Sequence, residues 1–341
     1  MTTTTAVRAD GTVLLGESVS CDGFAFGRKV RIQTHVHHDH MTDFGTSKAE
    51  QDIIVTQETK DLLIAILNCE LPRRNNIIVL PEGQVYSVDG EQIEIMDNGH
   101  MLGSAHVRVS LQNGLRVGYS SDFYWPLARV FEVDELVIDS TYGNPDAVRS
   151  YDQQKVEEQF VQLVLDRLRR GSVVVLGYRG RLQYGMSLFS GCTRYPMLAT
   201  HRVGSVAAIY LKYGVSIDPW TDLGSAEANQ LMRDGNRYLA FVELTEQRNF
   251  PWIRQLQKIT LSAYMVPHEE PVMDYGNGDF RVALTDHADF SGTLEFVHAS
   301  KARKVITHPG RGDAYALAHA IRSQLGVESI VGCEMPVRGW G

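Results

Sequence analysis

The stretch Thr34-His35-Val36-His37-His38-Asp39-His40 puts five ligand-type side chains into six residues, directly after the strand-like run Lys29-Val30-Arg31-Ile32-Gln33. Imidazole and carboxylate groups at this density are what a transition metal binds. Side chains alternate faces in extended backbone, so His35 and His37 point one way, while Asp39 and His40 follow where the chain turns and aim at a neighbouring point. Two metal ions side by side is the reading this favours. The bland alternative is a solvated His-rich loop, which has no need of an acid at Asp39. His38 is expected to face away.

Further ligand types stand at the ends of predicted strands, beside glycine or small residues. Asn98-Gly99-His100-Met101-Leu102-Gly103-Ser104-Ala105 sets His100 in a glycine-flanked bend after Gln92-Ile93-Glu94-Ile95-Met96, as a candidate third ligand. Beyond an Asn113-Gly114 hairpin signal, Leu115-Arg116-Val117-Gly118-Tyr119 leads to Asp122, an acid able to bridge two metals. Leu136-Val137-Ile138 ends in Asp139-Ser140-Thr141-Tyr142-Gly143. Downstream, Asp286-His287-Ala288-Asp289 and Thr307-His308-Pro309-Gly310 again close apolar runs. Singly, each is as ordinary as a helix cap or a satisfied core group; the recurrence is what suggests a site.

In this order the segments resemble the metallo-β-lactamase superfamily, and specifically its β-CASP nuclease branch, over almost the whole chain. The specific parts are T-H-x-H-x-D-H at 34–40, G-H-x-L-G-S-A at 99–105, Asp122, and D-S-T-Y-G at 139–143. Gly180-Arg181-Leu182-Gln183, His287 and His308 are similar to later signatures of that branch. The resemblance implies an αββα sandwich carrying an inserted βα domain of β-CASP type that forms a lid. It implies that His35, His37 and His100 hold one zinc, that Asp39, His40 and His308 hold the other, and that Asp122 bridges them. Two Zn2+ per chain suit this nitrogen and carboxylate mixture, with Mn2+ as the alternative. It further implies phosphodiester hydrolysis, with Asp39, His287 and Asp139 catalytic: His287 as proton donor to the leaving oxygen and Asp139 as the carboxylate that orients it. Arg181 is the candidate phosphate contact. Two departures, Ser121 and Pro309 at places where the branch usually has Gly, predict local backbone differences and no loss of metal.

The elements that must position these groups read as follows. Residues 1–145 form the first part of the sandwich domain, with short strands, hairpins and two helices, one after the histidine box and one over 58–68. A change to βα alternation marks 146–270 as the insert: a helix over 151–170, the strand Ser172-Val173-Val174-Val175-Leu176, a helix from Arg181, a helix over 201–213 and the strand Tyr238-Leu239-Ala240-Phe241-Val242. The sandwich resumes over 271–341, with a last helix over 314–325.

Composition bounds the partners. At 341 residues and 43% apolar content the chain suits two domains. Cys21, Cys69, Cys192 and Cys333 form no C-x-x-C pair and read as buried small hydrophobes. No signal-peptide pattern follows Met1 and no apolar run has membrane-spanning length, so a cytoplasmic protein with no membrane partner is expected. A net charge of −8 excludes binding of nucleic acid by overall basicity, though not along a local groove. Arg179 and Arg181, the helix-end Arg167, Arg169 and Arg170, and Lys301, Arg303, Lys304 and Arg311 are the local basic groups. His106 is expected behind the ligands at best, and His38, His201, His268, His298 and His319 have no assigned role. The substrate expected is RNA, as for an mRNA 3'-end processing factor. The alternatives are a single-stranded DNA exonuclease similar to the compact DNA-ligase-associated type, a hydrolase of small esters, and an inactive scaffold, which would lack ligands. Homo-oligomerisation stays open.

Overall fold

A computed structural model describes residues 5–67, 71–263 and 270–332. They divide into two compact units, one from the described residues of 1–64, 68–148 and 286–341, the other from 65–67 and 149–285. The fold is mixed α/β, as the sequence predicts.

The first unit is a sandwich of two sheets. One has six strands in chain order, Thr5–Val7, Val13–Leu15, Val19–Cys21, Val30–Ile32, Asp52–Val55 and Ile77–Val79. The other has seven, ordered Glu328–Val331, Lys304–Thr307, Glu135–Ile138, Arg116–Tyr119, Ala105–Ser110, Glu91–Asp97 and Tyr86–Val88. Alternation drives the packing: Val13, Leu15, Val30 and Ile32 from the first sheet interleave with Ile93, Ile95, Val107, Val109 and Val117 from the second in one buried core. Each such side chain contributes about 1.5–3 kcal/mol by leaving water.

Four strands of the seven-stranded sheet run parallel, Arg116–Tyr119, Glu135–Ile138, Lys304–Thr307 and Glu328–Val331. Their carboxyl ends therefore share one edge, where Asp122, Asp139 and His308 follow. The pairing of Ile138 with Thr307 sets Asp139 beside His308, and the His308 amide donates to Ile138 O at 3.0 Å. The Asn113-Gly114 turn joins Ala105–Ser110 to Arg116–Tyr119 as an antiparallel hairpin.

The second unit is a seven-stranded sheet ordered Trp220–Asp222, Met197–Ala199, Leu239–Glu243, Val173–Gly177, Gln257–Ser262, Asp279–Ala283 and Val272–Asp274. All but the last are parallel, and the central Val173–Gly177 and Leu239–Glu243 are buried throughout, as parallel strands covered on both faces must be. The helices Gln153–Leu168, His201–Lys212 and Ala226–Arg233 begin at side-chain caps from Asp152, Thr200 and Ser225. Asp279–Ala283 pairs with Gln257–Ser262, so this unit runs to Thr285 where the sequence reading returned to the sandwich at 271. The alternation there serves an edge of the inserted sheet.

Other expectations change. Cys21 is buried but Cys192 is exposed, contrary to the reading of the cysteines as buried; Cys69, Cys333 and His268 lie outside the described residues. The last helix is α-helical over Ala314–Ala320 and continues as a π turn over Ile321–Leu325. No helix among the described residues is long and apolar enough to cross a membrane.

His106, which directly follows the 99–105 segment, is in none of the groups of candidate ligand atoms that the fold brings together among the described residues. Its neighbours on the strand, Ala105 and Val107, face the sandwich core, so its own ring turns to the outer face, against Phe131 at 5.0 Å and Phe296 at 5.9 Å. Both ring nitrogens are buried without a hydrogen-bond partner, and burial pulls the imidazole down to about 3. The folded chain thus takes up this proton near pH 3, the unfolded chain near the ordinary 6.5. His106 adds its full stability above that upper value and loses about 1.4 kcal/mol per pH unit as the pH falls toward the lower one. Denaturant melts of the wild type and His106→Phe between pH 7 and 4 should diverge with that slope; parallel curves would contradict it.

Candidate metal centre

The histidine box leaves the strand Val30–Ile32 in extended backbone and closes in a 3-10 turn over His38–His40. Two buried polar residues hold that turn from beneath. Arg31 donates to the carbonyls of Thr42 at 2.7 Å and His40 at 3.0 Å, and Gln33 to those of His35 at 2.6 Å and His40 at 2.9 Å. These bonds satisfy a guanidinium with no exposed surface, which burial pulls down to about 10.

His35, His37, His100 and Asp122 each offer one ligand atom, all within 4.8 Å of one another. His37 Nδ1 lies 3.1 Å from His100 Nε2, and Asp122 Oδ2 lies 3.8 Å from His100 Nε2 and 3.9 Å from His35 Nε2. Ligand atoms of a tetrahedral zinc stand about 3.3 Å apart, so these spacings bracket one ion. The proton positions agree. His100 Nδ1 donates to the Asp286 carbonyl at 2.9 Å, which leaves Nε2 its lone pair. Thr34 donates its hydroxyl to Asp22 at 2.7 Å, so His35 Nδ1, 3.1 Å from that hydroxyl, must donate to it; His35 Nε2 is then a buried lone pair with no hydrogen-bond partner. That orphaned atom fits a metal ligand. Burial, then His40, His37 and His100, hold the His35 imidazole well below its ordinary value, as a ligand requires.

A second group, Asp39, His40 and Asp122, meets on the other side of Asp122. His40 Nδ1 donates to Asp22 at 2.7 Å, turning Nε2 toward Asp122 Oδ1 at 3.2 Å and Asp39 Oδ2 at 3.7 Å. His308, expected to complete this set, is not brought to it: its Nδ1 accepts from the Gly310 amide and its Nε2 donates to Gly11 O at 3.1 Å. Both nitrogens are spent on backbone. Arg311 stands in its place, hydrogen-bonded to Asp122 and 3.0 Å from Asp39 Oδ2.

His287 lies beside the first group, with Nε2 3.9 Å from Asp122 and Nδ1 3.6 Å from Asp139. Asp139 also accepts from the Thr141 amide and hydroxyl, which fixes the carboxylate. Burial pulls the His287 imidazole down, but Asp139, Asp122 and Asp286 outweigh it and hold it above its ordinary value.

Of the remaining candidates, Arg181 is buried in the second unit at the first turn of the helix Arg181–Ser187, where Gln183 caps the chain by accepting from the Gly180 amide at 2.8 Å. Arg179 pairs with Glu243 at 3.2 Å, Arg303 with Asp134 at 2.6 Å and Lys304 with Glu135 at 3.6 Å, and Arg167 lies over Phe280. His38 is exposed. Ser121, in place of the expected Gly, takes a left-handed φ of 53° and bonds its hydroxyl to Thr34 at 2.7 Å. The sequence reading gave no role to Asp22, Arg31, Gln33 or Asp286; Asp22, an acid at a strand end beside Gly23, carried the signal used for the ligands, whereas Asp286 acts through its backbone carbonyl, which no side-chain pattern marks.

Asp22 takes the Thr34 amide and hydroxyl and the His40 ring, so it aligns two imidazoles at once. Asp22→Asn should weaken metal binding by about 10–100-fold with the fold retained. Competition titration with a chromogenic chelator measures it; unchanged affinity would remove Asp22 from this role.

No family model matches the chain. Over 177 residues, 42% of this chain, it is 24% identical to the transcription termination factor FttA of Pyrococcus abyssi, and equally to that of Pyrococcus horikoshii; the chain spans only 27% of those factors' length. Among solved structures it is similar to a protein of unknown function from Enterococcus faecalis V583, with a TM-score of 0.60 at 13% identity over 89% of this chain and 79% of that one, a likeness of fold alone. Over 137 residues, 39% of this chain, it is 33% identical to a protein of Acidianus ambivalens described as an uncharacterized protein in lig 3'region, and the match spans 96% of that protein. The chain belongs to the family of that Acidianus ambivalens protein.

Proposed function

We propose that this chain is a cytoplasmic metal-dependent hydrolase of the β-CASP branch that cleaves phosphodiester bonds in RNA. The observation that carries this is the cluster of His35, His37, His100 and Asp122 with the His287–Asp139 pair at its rim. Three nitrogens and one carboxylate suit zinc best, with manganese as the second choice. A metal so bound lowers the pKa of water toward about 7 and polarises a phosphoryl oxygen.

The chain's own groups supply the rest. Hydrolysis forms a bond from water oxygen to phosphorus and breaks the bond to the leaving oxygen, which needs a proton. His287, whose imidazole the acids around it hold above its ordinary value, gives that proton, and Asp139, 3.6 Å from Nδ1, is the carboxylate that orients the ring. Asp39 is the acid nearest solvent at the site, its side chain 65% exposed. Arg181 is the proposed phosphate contact on the second unit. The relatives named as transcription termination factors support nucleic acid as the substrate. A second reading, a single-stranded DNA exonuclease, draws on the Acidianus ambivalens relative, whose description sets it in the lig 3' region.

End-labelled single-stranded RNA and DNA of one sequence, offered with and without chelator, separate the readings. Metal-dependent cleavage of RNA is expected; cleavage of DNA alone supports the exonuclease, and cleavage of neither contradicts both. Asp122→Ala should lose hydrolysis together with bound metal. His287→Ala should keep its metal and turn over about 10² to 10⁴ times more slowly, so full activity would remove His287 from proton transfer.

A further inference from the structure

The two carboxylates of the second ligand set are already engaged by a cation that belongs to the chain. Arg311 lays its guanidinium between Asp122 and Asp39, one nitrogen on each carboxylate, with its side chain only 13% exposed. Both acids on that side therefore spend an oxygen on Arg311, and His308 spends both ring nitrogens on Gly310 and Gly11.

The arginine is held there by its backbone. Gly312 has a left-handed φ of 46°, and a Cβ on it would collide with the carbonyls of Ser140 and Thr141, so no other residue fits that place in the loop. Asp313 then caps the helix Ala314–Ala320 by accepting from the Ala316 amide at 2.9 Å. With both flanks fixed, the side chain at 311 starts from one position. Its planar fork matches two carboxylates in a way that a lysine would not.

We propose that this centre holds a single metal ion, at His35, His37, His100 and Asp122, and that Arg311 is the permanent cation on the side of Asp39 and His40. The inference rests on the metal-dependent reading above but concerns only how many ions the chain binds. A guanidinium carries one charge where a zinc carries two, exchanges no ligands and activates no water, so the two sides of Asp122 are chemically unequal. The remaining N–H groups of Arg311 are donors suited to a phosphate oxygen.

The test is metal content of the full chain, equilibrated with excess zinc, freed of unbound ion and analysed by elemental mass spectrometry. One ion per chain is expected, and manganese loading should give the electron paramagnetic resonance of an isolated ion. Arg311→Met, which keeps the aliphatic stem, should raise the content to two and give an exchange-coupled manganese spectrum. Two ions in the wild type would overturn the proposal whether or not the variant folds. So would a folded Arg311→Met, judged by circular dichroism, that still binds one. Cleavage of polymer is scored separately: one ion without cleavage supports this inference and contradicts the proposed function, whereas two ions with cleavage do the reverse.

Discussion

Asp122 is the group on which the site depends. It is a buried carboxylate, and His40, His35, His100, His287 and Arg311 all approach it. Burial alone would protonate it, but Arg311 and His40 outweigh burial and hold the carboxyl well below the usual range. A buried charge of this kind is tolerated only when paired and hydrogen-bonded from several sides. The pairing also bears on cation binding, because the same oxygens that need compensation are those that would bind a cation.

The sandwich exists to bring those compensating groups to one place. The box after Val30–Ile32, the bend after Glu91–Asp97 and the turns after Arg116–Tyr119 and Glu135–Ile138 are short segments at strand ends, so their directions are set by sheets packed over a continuous apolar core. Behind them lies a second layer of polar groups. Arg31 and Gln33 hold carbonyls of the histidine box, Asp22 and Thr34 set the tautomers of His40 and His35, and the Asp286 carbonyl sets that of His100. A metal site built without these partners would have the ligands and lack their orientation.

The sandwich and the α/β class were legible because apolar alternation and βα order are local patterns. The side chains that the fold gathers into candidate ligand groups were legible for a similar reason: His35, His37, Asp39 and His40 are neighbours in sequence, and His100 and Asp122 stand alone beside small residues at strand ends. What escaped the sequence is direction. Nothing in Thr-His-Pro-Gly says that the His308 ring turns to Gly11 O, a carbonyl nearly three hundred residues away in the chain. Arg311 was visible as one of several basic residues, but its pairing with Asp39 and Asp122 arises only when the 308–313 loop packs on Ser140 and Thr141. The strands at 272–283 misled for a related reason, since a strand's sequence does not name the sheet it joins.

A crystal of the zinc-loaded chain, measured on both sides of the zinc absorption edge, decides whether His35, His37, His100 and Asp122 form a metal centre. The expected result is an anomalous peak within coordination distance of those four side chains, about 2.0–2.2 Å from each ligand atom. A loaded crystal with no peak among them, or with its ion elsewhere, would contradict it.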